Sequence, residues 1–264
     1  MQIISVINQK GGVGKTTTVI NLAAGLSQLK KKILVIDLDP QGNATTGLGL
    51  SNMDNSSDTI YGVLNGTKEI NQVIKKTKFE NLDLITSNVD LSGLEVETAD
   101  DTNRAFILKR KLTAYLNTSR GPYDYILIDC PPSLSLLTVM ALVCSGSLLV
   151  PLQTEFFALE GLTQLMKTID RIKVSLNPEL KIRGILLTMY DKRNKLSSQV
   201  EKEARDYFSE KVYSTVIPRN VRLSEAPSHG MPVLIYDKSC PGSKSYFNFT
   251  DEFINQESTI GSAA

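Results

Sequence analysis

Short continuous apolar runs alternate with amphipathic segments along most of the chain. Runs of β-branched residues and leucine predict strands buried on both faces, at residues 2–7, 33–36, 82–85, 125–128, 147–150, 182–188 and 212–217. Apolar residues at helical spacing predict helices over about 16–29, 91–117, 134–144, 158–176, 194–208 and 242–253. Alternation of strands and helices is typical of a doubly wound, mostly parallel α/β sheet flanked by helices. We therefore predict one α/β domain over residues 1–255, followed by a disordered tail at 256–264.

Composition narrows the class of protein without identifying it. The chain has 264 residues, of which 41% are hydrophobic and 22% are charged, as is usual for a globular protein with a sizeable core. Its three cysteines have no C-x-x-C spacing, which indicates reduced, buried thiols and a cytoplasmic location. Strand-like residues begin directly after Met1, and no apolar stretch approaches ~18 residues. We therefore expect neither a signal peptide nor a membrane span.

The most specific motif is the glycine-rich stretch Lys10-Gly-Gly-Val-Gly-Lys-Thr-Thr17, which lies between a predicted strand and a predicted helix. Glycines allow the backbone to turn tightly and to direct its N–H groups toward phosphate oxygens. The helix N-terminus adds partial positive charge at the same place. In such a loop Lys15 reaches the β- and γ-phosphates, and the Thr16 hydroxyl is a ligand for Mg²⁺. The candidate ATP-binding residues of the loop are Lys10, Gly11, Gly12, Val13, Gly14, Lys15, Thr16 and Thr17.

Carboxylates follow two of the predicted strands. Asp37 and Asp39 come after the strand at 33–36, and Asp129 ends the strand at 125–128. Ligands of open α/β sheets bind beyond the carboxyl ends of the strands, so these side chains are expected near the phosphate loop. If the first strand continues to residue 39, its period of two directs Asp37 and Asp39 the same way. Asp129 has the Walker B form, in which a carboxylate contacts Mg²⁺ through water.

The phosphate loop departs from the standard Walker A pattern, since Gln9 replaces its first glycine and Lys10 adds a second lysine. The loop therefore resembles the deviant Walker A loop of the ParA/MinD family of P-loop ATPases. The resemblance implies a nucleotide-sandwich homodimer in which Lys10 reaches the partner's ATP. It also implies that Asp39 positions the attacking water, so that Lys10, Lys15 and Asp39 form the catalytic set with ATP and Mg²⁺ as cofactors.

A second stretch, Ile217-Pro-Arg-Asn-Val-Arg-Leu-Ser-Glu-Ala-Pro-Ser-His-Gly230, resembles the chromosomal ParA (Soj-type) subgroup closely. The resemblance implies that Pro218 and Asn220 lie beside the adenine. The stretch is polar and rich in proline, so we predict an ordered loop rather than a helix.

Positive charge is concentrated in one third of the chain. Residues 181–244 carry a net charge of +5, whereas residues 1–180 carry −1 and residues 245–264 carry −3. The resemblance implies that Arg193 and Arg222 bind DNA without reading its sequence, and a basic surface would make that binding fall steeply with salt. Weaker candidates for DNA contact are Lys192, Lys195, Lys202, Lys238 and Lys244.

The predicted function is an ATP-dependent dimerising switch for chromosome or plasmid segregation. The ATP-bound dimer binds double-stranded DNA non-specifically on the nucleoid, and a ParB-type centromere-binding protein stimulates slow ATP hydrolysis and release. The alternative is a MinD-like membrane-associated switch in division-site placement, which needs a basic amphipathic C-terminal helix. The acidic end of this chain argues against it. Among other enzymes on this loop, a reductase needs cluster-ligating cysteines, and an amidotransferase needs a nucleophile domain for which we expect no room.

Overall fold

An eight-stranded sheet forms the centre of the fold in the computed structural model, which describes residues 1–50, 56–119 and 123–261. The strands are β1 (Gln2–Val6), β2 (Ile33–Asp37), β3 (Ile74–Lys76), β4 (Leu82–Ile85), β5 (Tyr125–Asp129), β6 (Ser147–Gln153), β7 (Lys181–Tyr190) and β8 (Val212–Pro218). Their spatial order is β3-β4-β2-β5-β1-β6-β7-β8. Within the described residues the pairs are parallel except β3 with β4, so the predicted doubly wound α/β class is confirmed.

Helices cover both faces of this sheet. In the described part of the chain they are α1 (Lys15–Gln28), α2 (Asn43–Gly47), α3 (Ile60–Leu64), α4 (Ile70–Val73), α5 (Leu94–Glu97), α6 (Ile107–Ser119), α7 (Leu136–Cys144), α8 (Ala158–Ser175), α9 (Lys195–Phe208), α10 (Val221–Glu225), α11 (Val233–Tyr236) and α12 (Pro241–Gly261). None of these helices combines the length and apolar character that crossing a membrane requires.

Strand alternation divides the core into two layers. Ile33 and Val35 of β2 pack on one face with α1 and α12, whereas Leu34 and Ile36 face the layer that contains α6 and α7. Successive side chains of a strand point to opposite faces, so a continuous apolar run fills both layers. The sheet is therefore held rigidly between helices, and its carboxyl edge can position a site.

The predicted helix over 91–117 is wrong in its extent, because it is broken into α5, a 3₁₀ turn at Arg104–Phe106 and α6. Polar side chains in the intervening stretch bond to nearby backbone: Thr98 Oγ1 donates to Leu94 O at 2.7 Å, and Asp101 Oδ1 accepts from Asn103 N at 2.7 Å. Such local bonds compete with helix continuation.

The predicted loop at 217–230 is also wrong, because it contains α10 and a 3₁₀ helix at Ala226–His229. Asn220 caps α10, since its Oδ1 accepts from Arg222 N at 3.1 Å. Pro227 lies in the first turn of the 3₁₀ helix, where no backbone donor is needed. Capping therefore outweighs the polar composition on which the loop prediction rested.

The last helix is longer than predicted. α12 runs to Gly261, so residues 256–261 are helical although we predicted a disordered tail from residue 256. Extending an existing helix adds a hydrogen bond per residue and needs no new nucleus, which is the physical reason for the difference. Residues 262–264 lie outside the described residues.

Candidate functional site

The glycine-rich loop joins β1 to α1 at the carboxyl edge of the sheet. Gly12 and Gly14 have φ angles of +75° and +90°, a backbone region that favours glycine. The helix begins directly after them, with Thr18 N donating to Gly14 O at 2.9 Å. The backbone N–H groups of the first turn of α1 therefore remain available to an anion.

Side chains from three strands fix the position of this loop. Asn8 Nδ2 donates to Pro151 O at 2.8 Å, and Asn8 Oδ1 accepts from Lys10 N at 3.0 Å. At the far side, Thr188 Oγ1 of β7 donates to Val13 O at 2.8 Å. The cradle is thus preorganised by β1, β6 and β7, and binding an anion does not have to order it.

Lys15 is folded back into the loop. Its ammonium donates to the Lys10 carbonyl oxygen at 3.0 Å, and the residue is only 6% exposed. Burial lowers the pKa of Lys15, while the nearby Asp129 and Asp39 carboxylates oppose that shift. A buried cation inside a ring of backbone donors is suited to hold a multiply charged phosphate.

Asp129 ends β5 and lies in register with Val6 of β1 and Asp37 of β2. It is fully buried, and neither carboxylate oxygen has a hydrogen-bond partner within the described residues. Burial raises the pKa of Asp129, and the neighbouring Asp37 carboxylate raises it further. A buried carboxylate without partners is costly, which suits a group that pairs with a cation or its water.

The residues present fit Mg²⁺ in particular. This ion is usually held by one or two protein oxygens together with waters and substrate phosphates. The described residues contain no cluster of three or more His, Cys, Asp or Glu side chains that could enclose a metal. The Thr16 hydroxyl in the loop and the Asp129 carboxylate are accordingly the residues that would hold the ion.

Asp37 and Asp39 do not act as a pair, which corrects the expectation that both point the same way. β2 ends at Asp37, whose Oδ2 accepts from both Thr45 N and Thr45 Oγ1 at 2.7 Å. Burial raises the pKa of Asp37 to about 6. Asp39 instead lies in the following turn and lines the cavity beside the phosphate loop. Asp37 therefore anchors the segment that presents Asp39.

Lys10 points toward an acidic neighbour in the protomer. Its ammonium forms an ion pair with Glu155, which follows β6, and the Lys10 side chain is 49% exposed. The sequence gave no reason to single out Glu155, because it lies 145 positions away and belongs to no motif that we identified.

A cavity of about 630 Å³ extends from the phosphate loop to the segment after β8. It is lined by all the candidate loop residues except Lys10 and Val13, and also by Asp39, Pro218 and Asn220. The structure therefore brings the two resembling stretches, about 200 residues apart, into one site. The cavity also contains residues that sequence reasoning missed, because they belong to strand ends and a helix without a motif: Thr188, Met189, Arg219 and Tyr246.

The two candidate DNA-binding arginines are both ion-paired. Arg193 contacts both carboxylate oxygens of Asp191 at 3.1 Å. Arg222 contacts Glu225 at 2.6 Å and Asp237 at 3.5 Å. The remaining candidates all have exposed side chains: Lys192, Lys195, Lys202, Lys238 and Lys244.

Cys130 follows Asp129 but has the properties of a structural thiol. It is buried, and that burial raises its pKa well above the usual range of a cysteine. The thiolate that nucleophilic chemistry needs is therefore disfavoured at this position.

Comparison with known proteins gives a consistent picture. A family model described as an AAA domain matches residues 1–182. The chromosome partitioning protein ParA of Caulobacter vibrioides is 51% identical over 257 residues, which cover 97% of this chain and 95% of that protein. The chromosome-partitioning ATPase Soj of Treponema pallidum is 48% identical, covering 95% of this chain and 96% of its own. Cobyrinic acid a,c-diamide synthase from Mycobacterium smegmatis, solved with a bound ATP analogue and magnesium, has a TM-score of 0.81 and 34% identity, with 95% of this chain and 93% of that one covered.

Proposed function

Because the chain belongs to the ParA/MinD family of deviant Walker A ATPases, among the chromosomal ParA (Soj-type) proteins, we propose that it is an ATP-dependent dimerising switch that binds and releases DNA. The chain is an ATPase with a role in chromosome partition, and its cofactors are ATP and Mg²⁺. The observation that carries the proposal is the pairing of a buried loop lysine, Lys15, with a buried and partnerless carboxylate, Asp129.

The phosphate loop performs the binding step. Backbone N–H groups from Gly11 to Thr17 surround the β- and γ-phosphates, and the dipole of α1 adds to their attraction. Lys15 exchanges its bond to the Lys10 carbonyl for the phosphate oxygens, because the ammonium gains more from an anion than from a neutral acceptor.

Hydrolysis requires an in-line water and neutralisation of charge on the transferring phosphoryl group. Asp39 faces the cavity and is the carboxylate that orients this water. Lys15 holds the equatorial oxygens, and Lys10 of the partner protomer supplies a second positive charge much as an arginine finger does. Mg²⁺, held at Thr16 and through water at Asp129, bridges phosphate oxygens and offsets their charge.

Dimerisation follows from the position of Lys10. Within the protomer this lysine pairs with Glu155 and lies outside its own cavity. A half-exposed ion pair contributes little to stability, so it can be exchanged for a contact with the partner's phosphates. The nucleotide thereby becomes part of the interface between two copies.

The base is held at the other end of the cavity. Pro218 offers an apolar face to the adenine, and Asn220 offers its amide N–H groups because its oxygen already caps α10. Binding of the nucleotide is therefore linked to the conformation of α10, which carries Arg222.

DNA binding and release complete the proposed cycle. Arg193 and Arg222, with lysines around them, contact DNA phosphates without reading sequence, and dimerisation doubles the number of contacts. A ParB-type centromere-binding protein stimulates hydrolysis, and separation of the dimer then halves the basic surface. This gives a nucleoid-associated protein that lets go of DNA after each turnover.

Two other functions on the same fold are less well supported. A MinD-like switch needs a basic amphipathic C-terminal helix, whereas the described part of α12 beyond Tyr246 carries Asp251 and Glu252 and no lysine or arginine. Length does not exclude an amidotransferase, contrary to our expectation, because the cobyrinic acid a,c-diamide synthase is matched over 93% of its chain. Segregation is favoured because identity is 51% to a partition protein and 34% to that synthase.

The decisive experiment measures binding of random-sequence duplex DNA by gel shift with ATP, with ADP and without nucleotide. We expect a shift only with ATP, together with ATP-dependent dimerisation in analytical ultracentrifugation. Binding that ignores the nucleotide contradicts the switch, and co-sedimentation with anionic liposomes in place of DNA supports the MinD-like alternative.

A further inference from the structure

A second basic surface lies outside the region of highest net charge. Three separate segments meet there: residues 30–32 after α1, residues 75–78 at β3 and the turn that follows, and the residue after α11 and Asp237. The lysines that these segments contribute are Lys30, Lys31, Lys32, Lys75, Lys76, Lys78 and Lys238. We refer to these seven residues as the lysine surface.

Two adjacent concavities make up this surface. The larger has a volume of about 720 Å³ and is lined by Lys30, Lys78 and Lys238 together with Phe79 and other residues. The smaller has a volume of about 510 Å³ and includes Lys32 and Lys76. Both are bordered by the turn Lys78-Phe79-Glu80, so positive charge is distributed on either side of one ridge.

Much of this charge is not neutralised within the protomer. Lys76 pairs with Asp83 at 2.7 Å, and Lys30 and Glu80 lie 3.8 Å apart with both side chains more than three-quarters exposed. No side-chain ion pair to Lys32, Lys78 or Lys238 occurs among the described residues, although the Lys78 ammonium lies 5.4 Å from the ring of Phe79. In contrast, Arg193 and Arg222 are both held by carboxylates.

The lysine surface is separate from the nucleotide cavity but continuous with Arg222. Lys30 lies beyond the C-terminus of α1, whose 14 residues span about 21 Å from the phosphate loop. In the other direction, Asp237 connects the two regions, since it contacts Arg222 at 3.5 Å and precedes Lys238. Substituting these lysines should therefore leave nucleotide binding intact.

We propose that the lysine surface binds the phosphate backbone of double-stranded DNA and extends the contact that begins at Arg222. The inference rests on the proposed function and adds Lys30, Lys32 and Lys78 to its DNA-binding residues. Lysine is a flexible point charge, which suits contacts that carry no sequence information. A duplex backbone can lie in two neighbouring concavities, whereas a planar bilayer meets only the rim of a concave surface.

The test compares two sets of substitutions in the full-length chain. One variant carries Lys32→Ala, Lys78→Ala and Lys238→Ala, and a second replaces the same three lysines by arginine. The matched control carries Lys109→Ala, Lys167→Ala and Lys173→Ala on α6 and α8. Fluorescence anisotropy with a random-sequence duplex is recorded with ATP over a series of salt concentrations, and ATP binding is measured in parallel.

For the alanine variant we expect at least about a tenfold loss of DNA affinity and a salt slope smaller by about 2.7, or about 0.9 for each lost phosphate contact. The control and the arginine variant should keep the parent's affinity within about twofold, and all should bind ATP equally. An alanine variant with the parent's affinity and slope overturns the inference while leaving the proposed function intact.

Two further outcomes also reject it. If the alanine variant keeps its DNA affinity but loses binding to vesicles of equal phosphatidylglycerol and phosphatidylcholine, the surface recognises lipid. If the parent chain binds no DNA in any nucleotide state, the proposed function fails and this inference fails with it.

Discussion

Asp37 and Asp39 show how two neighbouring carboxylates acquire different roles from their surroundings. Asp37 is fully buried and accepts two hydrogen bonds from Thr45, so it holds the segment after β2 in place. Asp39 lines the cavity, and its Oδ1 accepts from Gln41 N at 3.0 Å. Sequence spacing placed both near the nucleotide, but only the end of β2 at Asp37 shows which of them is presented to it.

Separate substitution of these aspartates should therefore give different defects. Asp39→Ala should retain ATP binding and most of the stability, but should lose at least about tenfold in phosphate release because general acid–base and water-orienting groups contribute at least that much. Asp37→Ala leaves two buried donors of Thr45 without a partner and should lower the free energy of unfolding by about 2–4 kcal/mol. Urea unfolding and a phosphate-release assay measure the two effects. Equal loss of stability in both variants contradicts the assignment.

Glu155 is the side chain that competes with a partner for Lys10. Glu155→Gln removes the charge that holds the lysine within the protomer, so ATP-dependent dimerisation should strengthen by a few-fold. Glu160→Gln, an exposed position on α8, is the matched control and should behave as the parent does. Sedimentation velocity with ATP and a hydrolysis-deficient Asp39→Ala background measures the dimer fraction. Weaker dimerisation shows instead that Glu155 stabilises the dimer.

Asp129 predicts an unusual dependence of stability on pH. Its pKa is higher in the native chain than in the unfolded chain, so the native state loses stability as the pH rises through that interval. Without nucleotide, Asp129→Asn should therefore be more stable than the parent at pH 8, by about 1–3 kcal/mol, and the difference should shrink toward pH 5. Urea unfolding at several pH values tests this. A difference that grows as the pH falls has the wrong sign for this explanation.

Stabilisation by nucleotide provides an independent readout for the same residue. ATP with Mg²⁺ should stabilise the parent, because a ligand that binds only the folded state shifts the unfolding equilibrium. Asp129→Asn should lose much of the Mg²⁺-dependent part of that stabilisation. A thermal shift identical to the parent's argues against a cation at this carboxylate.

At the scale of elements, continuous apolar runs predicted the seven longer strands because burial on both faces leaves a distinct pattern. β3 was missed, since only one of its three residues, Ile74, is apolar and it pairs at the sheet edge. α10 was missed because a single cap, Asn220, decides whether a short polar stretch becomes helical. Elements set by one hydrogen bond carry little signal in composition, whereas elements set by burial carry much.

The contact between α1 and α12 illustrates an element-scale constraint that no motif indicates. A Cβ atom added at Gly25 would overlap the side chain of Thr250 on α12, so glycine allows these helices to approach closely. Gly25→Ala should lower the free energy of unfolding by about 1–3 kcal/mol through overpacking, despite the higher helix propensity of alanine. Adding Thr250→Ala should recover part of the loss. Chemical denaturation of the three variants measures it, and a more stable Gly25→Ala chain contradicts the packing argument.

At the scale of the whole molecule, the net charge of +1 conceals two basic regions that chain order separates. Division of the sequence into thirds detected the region around Arg193 and Arg222. It could not detect the lysine surface, because residues 30–32 and 75–78 lie in a part with a net charge of −1 and approach Lys238 only in the folded chain. The site motifs were predictable because their spacing is local, whereas surfaces assembled from distant segments depend on the fold.

The arginine region gives a prediction for the assembled switch. Arg193 and Arg222 are ion-paired in the protomer, so DNA must replace their carboxylate partners, and the gain per arginine is smaller than for an unpaired cation. Arg193→Glu with Arg222→Glu adds repulsion to this exchange and should abolish the ATP-dependent gel shift with random duplex DNA. The control is Arg110→Glu with Arg171→Glu, which makes the same charge change on α6 and α8. If both double variants weaken DNA binding equally, total charge rather than position governs it. If the Arg193 and Arg222 variant binds as the parent does, the DNA contact lies elsewhere, and only the lysine surface remains to provide it.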